Sequence, residues 1–111
     1  MIADLYQRVR AKLQGRSPKW PAVRRKHLQD HAECAACGRT KKLEAHHRFP
    51  REYYPEMELD PGNLITFCRD CHYLIGHGGR NWSDWIEDCD GLAAIVRKAV
   101  DARMTERDVS W

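Results

Sequence analysis

Two C-x-x-C pairs and a pair of adjacent histidines dominate the middle of this chain. The thiols are Cys34, Cys37, Cys68 and Cys71, and the histidines are His46 and His47 within "LEAHHRFP". Adjacent residues of a β-strand point to opposite faces, so the two imidazoles are expected to have different roles. The first question is therefore which chemistry needs both of them.

Four thiolates at this spacing favour a tetrahedral, structural Zn²⁺ site. In a reducing compartment, cysteines at such short spacing are more often metal ligands than disulfides, although buried or disulfide-bonded thiols are the alternative. The segment between Cys37 and Cys68 is longer than a simple zinc ribbon needs, and it contains the histidine pair. Cys89 has no partner at ligand spacing, which predicts a partly buried free thiol.

Short strands and turns are predicted around these residues. The stretches "KLEAHHRF" and "NLITFC" are typical of strands, and "PREYYPEMELDPG" between them predicts a loop because it holds three prolines and a glycine. "CRDCHYLIGHGG" predicts a short helix that the glycines end. The chemistry-bearing side chains would then lie on two strands and the helix that follows them.

Helices are predicted on both flanks. Apolar residues at helical spacing predict one helix over residues 2–14 and a second from Ser17, as N-cap, to about Ala32. The apolar repeat Leu92, Ile95, Val96, Ala99 and Val100 predicts a C-terminal helix that packs on the core. Asp90 or Gly91 is its expected cap.

The order of these motifs resembles the HNH endonucleases of the ββα-metal class, in their zinc-stapled branch. The resemblance rests on "CAAC", "EAHHRFP", "NLITFCRDCH" and the following "GH". It implies an α+β fold in a single domain, 1–111, with a ββα-metal core at 34–77. The N-terminal helices would occupy 1–33 and a C-terminal helical extension 78–111.

The resemblance also implies a role for each matching residue. His46 and His72 would hold a catalytic divalent cation, His47 would be the general base, and the Asn63 amide would brace the loop and orient that base. His77 lies one residue beyond the α-helical position that faces His72, so a metal ligand, a phosphate contact and an ordinary helix-end histidine stay open. The alternatives for the doublet are surface histidines or ligands of a second structural zinc; for Asn63, an ordinary turn residue.

Phosphodiester hydrolysis explains why both histidines would be needed. A neutral imidazole can accept a proton from water at pH 7, because its unperturbed pKa is near 6.5. A divalent cation with few protein ligands can neutralise charge on the phosphate and the leaving oxygen. Mg²⁺, Mn²⁺, Ni²⁺ and Zn²⁺ all remain candidates for this second ion. The resemblance implies 5′-phosphate and 3′-hydroxyl products.

Basic side chains surround the proposed centre and predict a DNA partner bound mainly through its phosphates. They are Lys41, Lys42, Arg48, Arg51, Arg69 and Arg80. Each alone could be a plain surface charge. Trp82 and Trp85 are expected to cover the core. The flanks leave no room for a second DNA-binding domain of ordinary size, so sequence specificity is expected to be low unless a homodimer or a larger phage or restriction complex supplies it.

Length and composition favour one small, polar, globular domain. The chain has 111 residues and a net charge of +3, and its pI is near 8.7. No apolar run could span a bilayer and the N-terminus does not resemble a secretory signal, which predicts the cytosol of a bacterial or phage-infected cell. A non-catalytic zinc module that binds nucleic acid or protein is the alternative, and a toxin of interbacterial competition would share the nuclease chemistry.

Overall fold

The computed structural model describes residues 5, 6, 9 and 15–109, with side chains up to residue 103. The helix predicted over 2–14 lies largely outside the described residues. The described α-helices and strands, in order, are α1 (Trp20–Asp30), β1 (Leu43–His47), β2 (Leu64–Cys68), α2 (Arg69–Cys71), which continues as a π-helical turn (His72–Gly76), and α3 (Cys89–Val109). Two short 3-10 helices, Pro55–Met57 and Pro61–Asn63, lie between the strands. This is the predicted α+β class. No described helix combines the length and apolar character needed to cross a bilayer.

The two strands pair antiparallel, with Leu43 opposite Cys68 and His47 opposite Leu64. β2 is buried at every position, because it is covered from more than one direction. Thr66 Oγ1 accepts from His27 Nε2 of α1 at 2.9 Å and donates to the His31 carbonyl at 2.9 Å. The strand also contributes to a core cluster of Cys34, Ala36, Ile65, Phe67, Cys68, Ile75, Cys89 and Ala93.

Helix α1 begins later than predicted. Ser17 is not its N-cap: the Ser17 hydroxyl accepts from Lys19 N at 3.2 Å, and its carbonyl accepts from Trp20 N at 3.0 Å. Ser17 thus forms the turn before the helix, and Pro21 sits in the first turn, where a missing N–H breaks no helical hydrogen bond. Trp20 and His27 are buried.

The predicted cap of the C-terminal helix is also wrong. α3 begins at Cys89, and the Asp88 carboxylate accepts from Gly91 N at 3.0 Å. Asp90 instead forms an ion pair with Arg48. By sequence, Asp88 and Asp90 could each cap this helix. Because Asp90 pairs with Arg48, Asp88 is the residue that caps it.

The buried face of α3 differs from the predicted one. Ala93 is 2% exposed, whereas Leu92 and Ile95 are 38% and 68% exposed. Cys89, which was expected to be only partly buried, is a core residue with no exposed surface. Because Cys89 anchors the first turn, the residues that follow it at helical spacing, Ala93 and Val96, pack on the core.

Candidate metal centres and active site

The first C-x-x-C pair forms a tight turn. Gly38 has φ +79°, and its N–H donates to the Cys34 carbonyl at 2.9 Å. A residue with a Cβ rarely adopts this conformation, so the glycine lets the chain turn back directly after Cys37. The second pair begins at Cys68, the last residue of β2, and ends at Cys71.

The four thiols meet at one point. Their sulfur atoms all lie within 4.8 Å of one another, with Cys37 Sγ and Cys68 Sγ 3.6 Å apart. Among the described residues all five cysteines are free thiols, and Cys34 and Cys68 are buried. A closed cluster of four sulfur donors fits a structural Zn²⁺.

The electrostatics of the cluster also fit a cation. Although burial opposes ionisation, nearby backbone N–H groups lower the pKa of Cys34 to about 7. Burial, and then the neighbouring thiols, raise the pKa of Cys71. A bound dication would relieve this repulsion, since metal binding favours the thiolate form.

Three histidines form a second cluster. His46 comes from β1 and is 2% exposed, while His72 and His77 come from the two ends of the π-helical turn and are half-buried. One ring nitrogen of each lies within 4.8 Å of the others. The centroid of the His46 ring is 5.0 Å from that of His72 and 4.9 Å from that of His77.

The π-helical turn explains the position of His77. An α-helix would bring the residue four positions after His72 onto the same face, and that residue is Gly76. A π-helix closes its hydrogen bonds one residue later. The wider turn therefore moves His77, rather than Gly76, beside His72, and their Nε2 atoms are 3.2 Å apart.

Both of these histidines use their other nitrogen to donate. His72 Nδ1 donates to Glu44 Oε1 at 2.9 Å, and His77 Nδ1 donates to the Asp84 carbonyl at 2.7 Å. Because carboxylate and carbonyl oxygens only accept, the proton of each neutral ring is on Nδ1 and the Nε2 lone pair is free. Two lone pairs then face each other, an arrangement that a cation between them stabilises.

His46 completes the donor set. Its Nε2 atom is buried and has no hydrogen-bond partner among the described residues. Burial, then the nearby His72 and His77, lower the pKa of His46 to about 3, and burial also lowers the pKa of His72. Neutral imidazoles are the form that binds metal, so the cluster fits a divalent cation held by three nitrogens.

Because Gly76 has no side chain, the His46 ring can lie directly against its backbone. A Cβ at this position would lie 2.9 Å from His46 Cε1 and 3.0 Å from His46 Nδ1. The π-helical turn thus both aligns His77 with His72 and lets the backbone approach His46 closely.

His47 makes different contacts from its neighbour. Its Nε2 donates to the Glu58 carbonyl at 2.9 Å, which leaves Nδ1 as the nitrogen that can accept a proton. Its ring packs on Trp20, with 4.5 Å between the centroids. Burial lowers the pKa of His47, so the ring is neutral at pH 7. The two neighbours of β1 therefore have separate environments, as strand geometry predicts.

Asn63 ties the loop after β1 to the start of β2. It is 1% exposed, its Nδ2 donates to the carbonyls of Phe49 and Met57 at 3.0 and 3.1 Å, and its Oδ1 accepts from Phe49 N at 2.9 Å. Met57 directly precedes Glu58, the acceptor for His47. The side chain thus holds the loop segment that orients the His47 ring.

One cleft of about 350 Å³ borders both histidine environments. His46, His47, His72 and His77 line it. Its walls also include Arg16, Arg51, Trp82 and Trp85. Arg51 is one of the residues predicted to contact DNA, and its guanidinium lies 3.5 Å from the Glu58 carboxylate.

The other basic residues divide into two groups. Lys42, Arg69 and Arg80 are exposed. Arg48 has partners within the protein: Nε and Nη2 donate to the Asp90 carboxylate at 2.8 Å each, and Nη1 donates to the carbonyls of Gly62 and Leu64. These hydrogen bonds join the residue after β1 to α3 and to the start of β2, and its contact with phosphate stays a prediction.

The two tryptophans after the second C-x-x-C pair also differ. Trp85 is partly buried with Phe49 and Tyr54, its ring centroid 5.8 Å and 6.4 Å from theirs. Trp82 does not cover the core as predicted: it is 54% exposed, and its ring lies beside those of His72 and His77.

Sequence reasoning assigned no role to Glu44, which accepts from His72. Glu44 and His46 are two residues apart on a strand, so their side chains share a face. The sequence could have indicated this role, because Glu44 lies on the same strand face as His46, an expected metal ligand. Histidine ligands usually donate a hydrogen bond from their second nitrogen to a group such as a carboxylate.

Comparison with known proteins agrees with this arrangement. Residues 34–78 match the family model described as HNH endonuclease. Searches of curated proteins and of solved structures found no match to the chain. The matched segment contains both C-x-x-C pairs, the two strands, Asn63 and the three-histidine cluster. Residues 34–78 are therefore an HNH endonuclease domain, which indicates nuclease-type activity at the level of the family.

Proposed function

We propose that the protein is an endonuclease that hydrolyses phosphodiester bonds of DNA with the help of a divalent cation. His46, His72 and His77 would hold the cation, and His47 would be the general base. The observation that carries the proposal is the single cleft in which three lone-pair nitrogens converge and an imidazole with an unprotonated Nδ1 forms part of the wall.

The proton transfer follows from the contacts of His47. The oxygen of a water molecule attacks phosphorus, and its proton passes to His47 Nδ1 while the bond from phosphorus to the leaving 3′ oxygen breaks. The leaving oxygen takes a proton from solvent. The hydrogen bond from Nε2 to the Glu58 carbonyl keeps the acceptor nitrogen on the other side of the ring. When bound, the cation supplies charge neutralisation at the phosphate.

Asn63 would act as a positioning residue for His47. Its three hydrogen bonds fix the loop carrying Glu58, and Glu58 in turn fixes the ring. A group held in reacting geometry in advance avoids the cost of ordering it during the reaction.

DNA would bind mainly through its phosphates. Arg51 lies in the cleft, while Lys42, Arg69 and Arg80 are exposed. Such contacts give affinity that falls with salt and depends little on sequence. We place the enzyme in the cytosol, with low sequence specificity unless a second copy or a partner complex adds to it. Zn²⁺ in the four-cysteine site would be structural. Mg²⁺, Mn²⁺, Ni²⁺ and Zn²⁺ are the candidates for the histidine site, where three imidazole nitrogens favour a transition metal over Mg²⁺.

Nicking of supercoiled plasmid by the zinc-loaded protein tests the proposal. Mg²⁺, Mn²⁺, Ni²⁺ and Zn²⁺ are added separately to protein freed of weakly bound metal. We expect cation-dependent nicking that His47→Ala slows by about 100-fold or more, the range for loss of a general base. His31→Ala is the matched control, because His31 is an exposed histidine outside the cleft.

Metal binding separates the two histidine roles. His47→Ala should bind Mn²⁺ with unchanged affinity, whereas His46→Ala and His72→Ala should bind it more weakly. Wild-type nicking rates for His47→Ala would reject the assignment of the base. The alternative, a non-catalytic zinc module, predicts DNA binding without cation-dependent nicking and no effect of His47→Ala.

A further inference from the structure

Trp82 is the most exposed tryptophan side chain in the described part of the chain, at 54%. Together with Tyr73 and the exposed Leu74 it lines one groove, and an exposed apolar patch of several residues often marks a binding site. Its ring centroid lies 5.2 Å from that of His72, 5.0 Å from that of His77 and 5.0 Å from that of Tyr73. The indole ring therefore packs against the rings of two of the three candidate metal ligands, His72 and His77.

Trp82 also separates two grooves. One is the candidate catalytic cleft, and the other is lined by Arg69, Asp70, Tyr73, Leu74 and Trp82 itself. The charge of Asp70 is balanced by Arg39, whose Nη1 is 3.1 Å away. The second groove thus presents the Arg69 cation beside aromatic and apolar surface, with Leu74 59% exposed.

This combination has the chemistry of a surface for single-stranded nucleic acid. Aromatic faces stack on bases and a nearby guanidinium neutralises the backbone. In an intact duplex the bases are stacked on one another, so the indole could reach a base face only where the duplex is open. A strand running from the catalytic cleft into the second groove would pass over Trp82.

We infer that Trp82 stacks on a base next to the scissile phosphate, so that the substrate is DNA with unstacked bases: single strands or locally opened duplex. This inference rests on the proposed function, because it names the substrate class of the same cleft. Arg69 contacts the backbone beyond the stacked base.

Binding, rather than cleavage, tests the inference. The probes are a fluorescein-labelled 12-nucleotide single strand and the duplex of the same sequence, both with phosphorothioate linkages, and the readout is the fluorescence anisotropy of the zinc-loaded full chain. Trp82→Phe keeps an aromatic face and Trp82→Leu keeps only apolar volume. Both keep an apolar side chain beside the histidines, so each variant should still fold. Thermal melting of each variant checks that it does.

We expect the wild type to bind the single strand more tightly than the duplex. Trp82→Leu should weaken single-strand binding about 5- to 100-fold, as expected for loss of one stacked base, with duplex binding changed less than twofold. Trp82→Phe should fall between the two. Ile95→Ala, which removes an exposed apolar side chain on α3, should match the wild type.

A fully abasic strand of the same length shows whether the contact is made to bases. It should bind the wild type more weakly than the 12-nucleotide strand does, whereas Trp82→Leu should distinguish the two strands much less. Tighter binding of duplex than of single strand, equal losses for both probes in Trp82→Leu, or the same loss on the abasic strand for both proteins would each overturn the inference. If the protein binds as expected but never nicks DNA in the presence of cations, the proposed function fails while the stacking surface stands.

Discussion

His72 Nε2 lies 3.2 Å from His77 Nε2, although the two residues are five positions apart in the chain. A π-helical turn brings residues at this separation together, and π-turns inside helices are frequent at functional sites. With both Nδ1 atoms donating elsewhere, the lone pairs of the two neutral rings are on Nε2. The widened turn therefore places two lone-pair nitrogens side by side, and a bound cation would stabilise this arrangement.

Gly76→Ala should weaken this cation site selectively. The added Cβ would meet the His46 ring at 2.9 Å, and the ring must move because it is otherwise buried. We expect Mn²⁺ affinity, measured by calorimetry, to fall about 10-fold or more, comparable with loss of a supporting contact. Zinc content should stay unchanged. Gly62→Ala, whose Cβ would meet only the exposed Asp60 side chain, is the control, and equal effects of both variants would contradict this explanation.

Glu44→Ala should lower cation affinity through His72. Loss of the acceptor for Nδ1 frees the ring to rotate and to move its proton to Nε2, which removes a ligand. Outer contacts of this kind typically contribute 10- to 100-fold in metal affinity or activity. Glu44→Gln, whose amide oxygen can still accept, should restore most of the affinity. A fall in stability with unchanged Mn²⁺ binding would instead assign Glu44 a purely structural role.

Two cysteine substitutions distinguish the structural zinc from the core. Cys37→Ala should lose the bound zinc and the cooperative thermal transition, because the free energy of metal binding contributes to folding. Cys89→Ala should keep one zinc per chain, measured by mass spectrometry of metals, and lose roughly 1 kcal/mol for the small cavity. Full zinc content in Cys37→Ala would show that the four thiols do not form one site.

The free energy of unfolding should depend on pH through His27. Burial, then His31 and Arg48, lower the pKa of His27 below its usual 6.5, with Asp30 acting in the opposite direction. The unfolded chain therefore binds a proton before the folded chain does. The stabilisation is present above about pH 6.5 and is lost as the pH falls through the lower, folded-state pKa.

His27→Gln tests this dependence, since its amide can still donate to Thr66. We expect the loss of unfolding free energy in urea between ~pH 7.5 and ~pH 5.5 to be smaller in His27→Gln than in the wild type. Any pH effect of the metal sites is common to both proteins. Identical slopes would mean that His27 does not titrate as inferred.

The sequence predicted the two strands, the four-thiol cluster and the histidine doublet because ligand spacing and strand alternation are local properties. It left open whether His77 joins His72, because a π-turn has no clear sequence signal and α-helical spacing points to Gly76. The sequence identifies His77 as a candidate ligand by its chemical type, but it does not show the π-helical register that places this residue beside His72.

Other differences arose from tertiary contacts. The position of Arg48 beside the histidine doublet predicts a contact with DNA phosphates, but the sequence does not show its ion pair with Asp90, 42 residues away. That same pair displaced Asp90 from the cap of α3. Leu92 and Ile95 fit an apolar face, but the burial of Cys89 rotates the helix so that Ala93 faces inward.

The adjacency of Cys71 and His72 has a thermodynamic consequence. The peptide bond between these residues joins a ligand of the four-cysteine site to a candidate ligand of the histidine site. A metal ion bound at one site should therefore affect the geometry of the other. Linkage is reciprocal: if zinc raises the affinity of the imidazole cluster for Mn²⁺ by some factor, Mn²⁺ raises zinc affinity by that same factor. In that case millimolar Mn²⁺ should lower the fraction of zinc that a competing chelating dye removes at equilibrium, so that each bound ion protects the other site against loss of its metal.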